Sequence, residues 1–167
     1  WDQIYTFPVF KIPQNTFFLN GQDGWIVLKQ YLPNLIQVLR TYDGGHNWSV
    51  LDTLNYATDG YFNFFNPTTG LMLQPNYNSS SLIKTTDGGI TWDTISNWNT
   101  SVTSMKFKNE SIGYATYNGN LYSTLNGGIT WNPFNLMGYN LDKVDITKNS
   151  FIVTSGYRTF PVYKGSI

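Results

Sequence analysis

Few residues in this chain could carry acid–base or metal chemistry. Asp59 and Asp142 could face each other as the carboxylate pair of a glycosidase, although a turn or cap role suits both positions and is the interpretation we favour. His46, the only histidine, occupies a variable position of a predicted surface turn. No group of His, Asp and Glu has the spacing of metal ligands. The sequence therefore predicts no catalytic residue, no metal site and no cofactor.

A set of residues in predicted loops has the chemistry of a binding surface instead. Aromatic rings on the loops of a rigid scaffold can stack on a sugar or anchor a protein partner. Trp98 is the most informative member, because it lies outside the repeat described below. The alternative is that these rings only pack their loops onto the sheets. The candidate ligand-binding residues are Tyr31, Tyr56, Tyr77, Trp98, Tyr139, Tyr157 and Arg158.

The elements that must position these residues belong to a repeat. Three segments, residues 41–48, 85–92 and 124–131, share the pattern Thr-x-Asp/Asn-Gly-Gly-x-x-Trp. Their tryptophans are 44 and then 39 residues apart, a period typical of one four-stranded propeller blade. Short runs of β-branched and aromatic residues surround each segment, which is typical of strands. No run has the sustained apolar spacing of a helix.

The sequence thus predicts an all-β fold, a small β-propeller of four-stranded antiparallel blades. The predicted blades are residues 15–54, 60–96, 102–136 and 141–165, with residues 1–7 completing the last. Trp1-Asp2-Gln3-Ile4 resembles Trp92-Asp93-Thr94-Ile95 and so begins as a fourth strand, whereas residues 141–165 offer only three strands. Pairing the two would close the ring and remove exposed sheet edges. We therefore predict four blades in one domain, residues 1–167.

Each repeated segment has strong turn chemistry. Glycine takes the positive φ of a tight turn, the Asp or Asn side chain accepts hydrogen bonds from the turn, and the Trp anchors the outer strand. We expect these residues to be structural. They are Asp43, Gly45, Trp48, Asp87, Gly89, Trp92, Asn126, Gly128 and Trp131, with Trp1 as the equivalent anchor of the last blade.

The repeated segments resemble Asp-box (BNR) repeats. The layout of Gly-Trp followed by Thr-Thr-Asp-Gly-Gly-Ile-Thr-Trp is most similar to the propellers of the photosystem II assembly factor-like family. The resemblance implies the propeller fold and a box on the face away from the usual ligand site. Sialidases also carry such repeats, but their activity, as the resemblance implies it, needs an arginine triad, and this chain has only Arg40 and Arg158. We expect a structural role for Arg40, which lies in a strand beside the first box.

Composition excludes two classes of partner. The formal net charge is zero, so no cationic surface is available for binding nucleic acid. No stretch approaches the roughly 18 apolar residues of a membrane-spanning segment. The low charge and the many Asn, Thr and Tyr residues favour an extracellular, cell-surface or periplasmic location.

We therefore expect a non-catalytic binding or scaffold module. It would recognise a protein or a glycan through the aromatic loops opposite the boxes. Two alternatives stay open: a glycoside-acting, sialidase-like fragment, and a piece of a larger propeller.

Overall fold

The structure is a computed structural model of the chain and describes residues 6–7, 11–30, 35–55, 61–75, 78–134, 140–147, 150–155 and 163–166. These residues form fifteen β-strands and no helix, so none of them makes a helix that could cross a membrane. The strands are arranged in four sheets, and strands adjacent in sequence are adjacent in each sheet. The prediction of an all-β fold is confirmed.

Each sheet is a simple meander. Sheet 1 contains β1 (Lys11–Phe18), β2 (Gly24–Gln30), β3 (Leu35–Thr41) and β4 (Ser49–Asn55). Sheet 2 contains β5 (Tyr61–Phe64), β6 (Gly70–Pro75), β7 (Ser80–Thr85) and β8 (Asp93–Trp98). Sheet 3 contains β9 (Val102–Phe107), β10 (Gly113–Tyr117), β11 (Asn120–Thr124) and β12 (Asn132–Phe134). In the described residues, sheet 4 contains β13 (Lys143–Ile146), β14 (Ser150–Thr154) and β15 (Tyr163–Ser166).

Two predictions about the ends of the sheets have different outcomes. The strand predicted to complete sheet 4 comprises residues 1–7, of which residues 1–5 lie outside the described residues, so its pairing stays a prediction. In sheet 1, the first strand, β1, starts at Lys11, earlier than the predicted start of the first blade at residue 15. Pro13 has no N–H for the ladder, but the register shifts between Pro13 and Asn15, so β1 pairs with β2 on both sides of the proline. Edge strands and bulges are where a sheet tolerates proline.

An asparagine closes the turn between the first and second strands of sheets 1, 2 and 3. Oδ1 of Asn66, for example, accepts the backbone N–H groups of Thr68 and Thr69 at 3.0 and 2.8 Å. The carbonyl oxygen of Thr68 then accepts the N–H of Gly88 at 2.7 Å, which links this turn to the repeated turn of the same sheet. Asn20 and Asn109 make the same pair of side-chain bonds in sheets 1 and 3.

A phenylalanine ring covers a glycine in each of these three sheets. The glycine opens the second strand, and the ring comes from the end of the first strand. A Cβ added to any of the glycines would meet ring carbons at 2.5–2.8 Å, well inside van der Waals contact, so only glycine fits beneath the ring. The pairs are Phe18 with Gly24, Phe64 with Gly70, and Phe107 with Gly113.

The chain divides into two compact units. Unit 1 comprises Trp1–Asn76 and Ile83–Thr94, and unit 2 comprises Tyr77–Leu82 and Ile95–Ile167. In unit 1, Trp25 is fully buried and stacks on Phe64 at 3.8 Å between ring centroids. In unit 2, Tyr114 packs on Phe151 at 4.7 Å, beside buried Leu141 and Val144. Each of these buried side chains removes enough apolar area from water to stabilise its unit by about 2 kcal/mol.

Candidate functional site

Each repeated segment folds into the same hydrogen-bonded turn. In the second, the Thr85 hydroxyl donates to Oδ1 of Asp87 at 2.8 Å and accepts the N–H of Gly89 at 2.9 Å. Asp87 also accepts the backbone N–H of Thr91 at 2.9 Å and its hydroxyl at 2.6 Å. Nε1 of Trp92 donates to the carbonyl oxygen of Gly89 at 3.2 Å, which fixes the indole at the start of the outer strand.

The other two turns keep this geometry with different side chains. In the first turn, Nδ2 of Asn47 donates to Oδ2 of Asp43 at 2.8 Å, in the place of the Thr91 hydroxyl. In the third turn, Nδ2 of Asn126 donates to the hydroxyl of Thr130 at 2.9 Å, so the direction of the bond is reversed. The Asp and Asn side chains are therefore occupied within their own turns.

Hydrogen bonds hold both turn carboxylates in the charged form. The backbone N–H and then the side-chain amide of Asn47 lower the pKa of Asp43 to about 2. The hydroxyl and then the backbone N–H of Thr91 lower the pKa of Asp87 to about 2. Hydrogen bonds donated to a carboxylate stabilise its ionised form, so neither residue is suited to exchange a proton near neutral pH. In the part of the chain that the structure describes, no three His, Cys, Asp or Glu side chains gather as a metal site.

Arg40 joins elements within unit 1. Its Nη2 lies 2.9 Å from Oδ1 of Asp23, and its Nη1 donates to the carbonyl oxygen of Pro67 at 2.9 Å. The guanidinium carbon lies 4.4 Å from the ring centroid of Trp25 and 4.5 Å from that of Tyr42, within cation–π range. A buried guanidinium held in this way is not available to bind a substrate carboxylate.

Most of the predicted ligand-binding set falls on parts of the chain that the structure does not describe. Asp59, considered from the sequence together with Asp142 as a glycosidase carboxylate pair, also lies outside the described residues. For all of these positions a role in ligand binding stays a prediction. They are Tyr31, Tyr56, Tyr77, Tyr139, Tyr157 and Arg158.

Trp98 is the described member of that set, and its side chain is packed. It is 9% exposed and ends β8. Its ring centroid lies 5.7 Å from that of Trp131, edge on, and 6.2 Å from that of Tyr117. This burial favours the alternative that the Trp98 ring packs its loop onto the sheet, and a role for Trp98 in ligand binding stays a prediction.

Trp98 also has a place in the repeat after all. It lies six residues beyond Trp92, and Phe7 lies six residues beyond Trp1. Phe7 packs against Trp48 with ring centroids 6.1 Å apart, as Trp98 packs against Trp131. In both cases an aromatic residue six positions after one tryptophan contacts the tryptophan of a repeated turn, so the spacing of six could have revealed this packing role.

Unit 2 contains a cavity of about 380 Å³. It forms between two connections that lead from one sheet to the next and the short turn that joins β10 to β11. Buried Leu141 is the apolar member of its lining, and Asp142 is the charged one. The volume is near the lower end of the ~300–1,000 Å³ typical of ligand pockets. The lining residues are Ser101, Thr103, Asn118, Gly119, Asn140, Leu141 and Asp142.

A chain of hydroxyl groups supports one wall of the cavity. The hydroxyl of Thr103 donates to the carbonyl oxygen of Thr116 at 2.9 Å and lies 2.9 Å from the Thr116 hydroxyl. The Thr116 hydroxyl in turn donates to the carbonyl oxygen of Asp142 at 3.0 Å. Thr116 is fully buried. The backbone of Asp142 is therefore fixed by a buried group, and its N–H also donates to Thr154 at 2.9 Å.

The turn Asn118-Gly119 holds the two connections on either side of the cavity. Both residues have positive φ, 49° and 70°, as the tight turns that join antiparallel strands require. Oδ1 of Asn118 accepts the hydroxyl of Thr100 at 2.8 Å, and the carbonyl oxygen of Gly119 accepts the N–H of Leu141 at 2.9 Å. A Cβ on Gly119 would collide with Oδ1 of Asn140.

Several polar side chains of the cavity are free of partners in the described residues. The carboxylate of Asp142, the amide of Asn140 and the hydroxyl of Ser101 are exposed and make no side-chain hydrogen bond there. Exposed polar groups on a fixed backbone are the ordinary means by which a pocket orients a ligand. This cavity is therefore the candidate functional site.

Comparison with known proteins places the fold. No protein-family model and no curated protein matches the sequence. A solved structure described as YCF48 bound to D1 peptide matches with a TM-score of 0.62 and 20% identity, over 89% of this chain and 49% of that chain. The computationally designed Ika4 protein matches with a TM-score of 0.61 and 11% identity, over 93% of this chain and 91% of its own.

The fold is that of a β-propeller. The propeller prediction is thus confirmed, and each four-stranded sheet is a blade. This chain spans about half the length of the YCF48 chain that it matches.

The site residues that sequence reasoning missed are Ser101, Thr103, Asn118 and Asn140. One signal was present. The second strands begin Gly24-Trp-Ile-Val27, Gly70-Leu-Met-Leu73 and Gly113-Tyr-Ala-Thr116, so a buried threonine replaces an aliphatic residue in the third blade. A hydroxyl at a core position needs a hydrogen-bond partner, and here the partners lead to the cavity.

Proposed function

We propose that this chain is a non-catalytic binding module whose cavity in unit 2 holds part of a partner protein. The observation that carries the proposal is the set of unpartnered polar groups on Ser101, Asn140 and Asp142, displayed by connections whose backbone is fixed. Loops on a rigid scaffold are the usual location of binding residues. The YCF48 structure, which holds a D1 peptide, supports a peptide as the partner of a propeller with this fold.

The finer predictions enter as part of the same proposal. We regard the three repeated turns as Asp boxes with a structural role, since their side chains bond within each turn. Tyr139, which directly precedes Asn140 in the chain, is the aromatic residue of the predicted set nearest to the cavity in sequence. We also propose an extracellular, cell-surface or periplasmic location, which cell fractionation with an antibody to the protein would test.

A glycan is the second candidate ligand. Amide and hydroxyl groups such as those of Asn118, Asn140 and Ser101 suit the hydroxyls of a sugar as well as a peptide backbone. A glycoside-acting enzyme would need, in addition, a second carboxylate across the cavity from Asp142. Among the described lining residues Asp142 is the single carboxylate, which favours binding over hydrolysis.

Filling the cavity would test the proposal. Selection of a random displayed peptide library on the protein should yield binders, and Ser101→Phe should weaken them by about tenfold or more, because the ring would occupy the cavity. Ser111→Phe is the matched control, since Ser111 is also exposed but does not line the cavity. Failure to select any peptide, or equal binding by both variants, would contradict the proposal. If the protein binds a glycan on an array, and Ser101→Phe loses this binding while Ser111→Phe keeps it, the result would instead support a glycan as the ligand.

A further inference from the structure

We infer that the cavity binds a primary ammonium group of its peptide partner, either a lysine side chain or a free N-terminus, on the carboxylate of Asp142. This inference rests on the proposed function and names the chemistry of the part of the partner that enters the cavity. Asp142 is the one charged group among the described lining residues. A carboxylate that has no partner among the described residues and lies beside neutral polar groups favours a cationic ligand. Opposite charges attract more strongly where the cavity walls exclude some water.

The surrounding groups fit an ammonium ion in particular. An ammonium ion has three donors and no acceptor, and the cavity offers acceptors in the Asp142 carboxylate, the Asn140 side-chain oxygen and the Ser101 hydroxyl. No Lys or Arg is among the described residues that line the cavity, and Lys143, which follows Asp142, is not part of the lining. No basic side chain among the described lining residues therefore neutralises the Asp142 carboxylate.

A divalent metal fits the same groups less well. Calcium takes six to eight oxygen ligands, with several carboxylates in its tighter sites, whereas this lining contains one carboxylate. The described part of the chain has no cluster of three His, Cys, Asp or Glu side chains. The backbone that carries this carboxylate is fixed, because the Asp142 carbonyl oxygen accepts from the Thr116 hydroxyl and the Asp142 N–H donates to the Thr154 carbonyl oxygen.

Peptides selected on the wild-type protein provide the test. They should share a lysine or a free N-terminus, and Asp142→Asn should weaken them by about tenfold, the loss expected for a hydrogen-bonded charge pair. Asp145→Asn is the matched control: Asp145 is an exposed acid three residues away that does not line the cavity. The Asp142 side chain has no partner among the described residues, so Asp142→Asn should leave thermal stability unchanged.

Two chemical changes in a selected peptide identify the source of the ammonium group. Replacement of lysine by norleucine should weaken binding if the side chain enters the cavity, and acetylation of the N-terminus should weaken it if the terminus enters. Peptides that bind with no effect of Asp142→Asn, or that lack a common ammonium group, would overturn this inference and leave the proposed function standing. Failure to select any peptide would overturn both. Peptides that still bind Asp142→Asn but no longer bind Ser101→Phe would likewise show that the cavity binds the peptide without using the Asp142 carboxylate.

Discussion

The ring of Phe107 lies so close to Gly113 that a Cβ built on the glycine would stand 2.6 Å from two of the ring carbons. The same contact recurs in the first two blades, which makes it a part of the repeat rather than a local accident of packing.

Gly113→Ala should therefore destabilise the protein. The added methyl group must displace a rigid ring in a packed region, which typically costs about 1–3 kcal/mol. Urea denaturation measures the change. Gly21→Ala is the control, because a Cβ at Gly21 would meet no atom within 4 Å, and its effect should stay within about 0.5 kcal/mol. A second substitution, Phe107→Leu, should reduce the cost of Gly113→Ala in a double-mutant cycle; additive effects would contradict the contact.

Acid should destabilise the protein as the turn carboxylates become protonated. Asp43 and Asp87 have a pKa of about 2 in the folded chain, below the ~3.9 of an unfolded aspartate. Their contribution to stability is therefore complete above about pH 4 and is lost as the pH falls towards 2. The urea concentration at the denaturation midpoint should be highest at pH 7 and lowest at pH 2.5, with pH 4 between them.

The double variant Asp43→Asn/Asp87→Asn should flatten that part of the pH profile. Asn126 already occupies the equivalent position of the third turn, bonded to Thr130, so the fold should tolerate the change. Asp93→Asn, an exposed aspartate next to the second turn, serves as control and should leave the profile as it is in the wild type. A variant that keeps the full acid sensitivity would show that other groups cause it.

Arg40→Lys should weaken unit 1 although the charge is kept. A lysine ammonium cannot reach both the Asp23 carboxylate and the Pro67 carbonyl as the fixed fork of a guanidinium does, so one of these part-buried hydrogen bonds is lost. We expect a loss of about 1–3 kcal/mol in the free energy of unfolding. Lys108→Met, a change at an exposed cation, is the comparison and should be near neutral; an equally mild Arg40→Lys would refute the structural role.

Thr116→Val tests the hydroxyl chain beneath the cavity. Valine keeps the shape but removes the donor to the Asp142 carbonyl and the partner of Thr103, for an expected loss of about 1–3 kcal/mol. It should also weaken the binding of selected peptides, because the Asp142 backbone loses one of its two hydrogen bonds. Thr94→Val, on the exposed part of β8, makes the same chemical change without these partners. If the two variants behave alike in stability and in binding, the hydroxyl chain has no role.

The architecture was accessible from the sequence because its signals are local. The Gly-Gly turns and the spacing of Trp48, Trp92 and Trp131 predicted the blades, since the side-chain hydrogen bonds within each turn join residues no more than four positions apart. The packing of Trp98 was not specified by its local sequence because its partners, Trp131 and Tyr117, are distant along the chain. The cavity was missed for the same reason. Asn118 and Asn140 come together only after the blades form, and neither has a pattern around it that specifies the other.

The hydroxyl chain in the third blade has a consequence for how such a chain could evolve. Each of the first three blades is stabilised by contacts that lie within its own repeat, the covered glycine and the bonded turn. Copies of such a repeat can therefore mutate elsewhere without losing the ability to fold. Where the first two copies keep Val27 and Leu73, the third has Thr116. A single codon change in one copy is thus enough to give a buried packing position a hydroxyl that supports the proposed binding cavity, while the other copies preserve the framework.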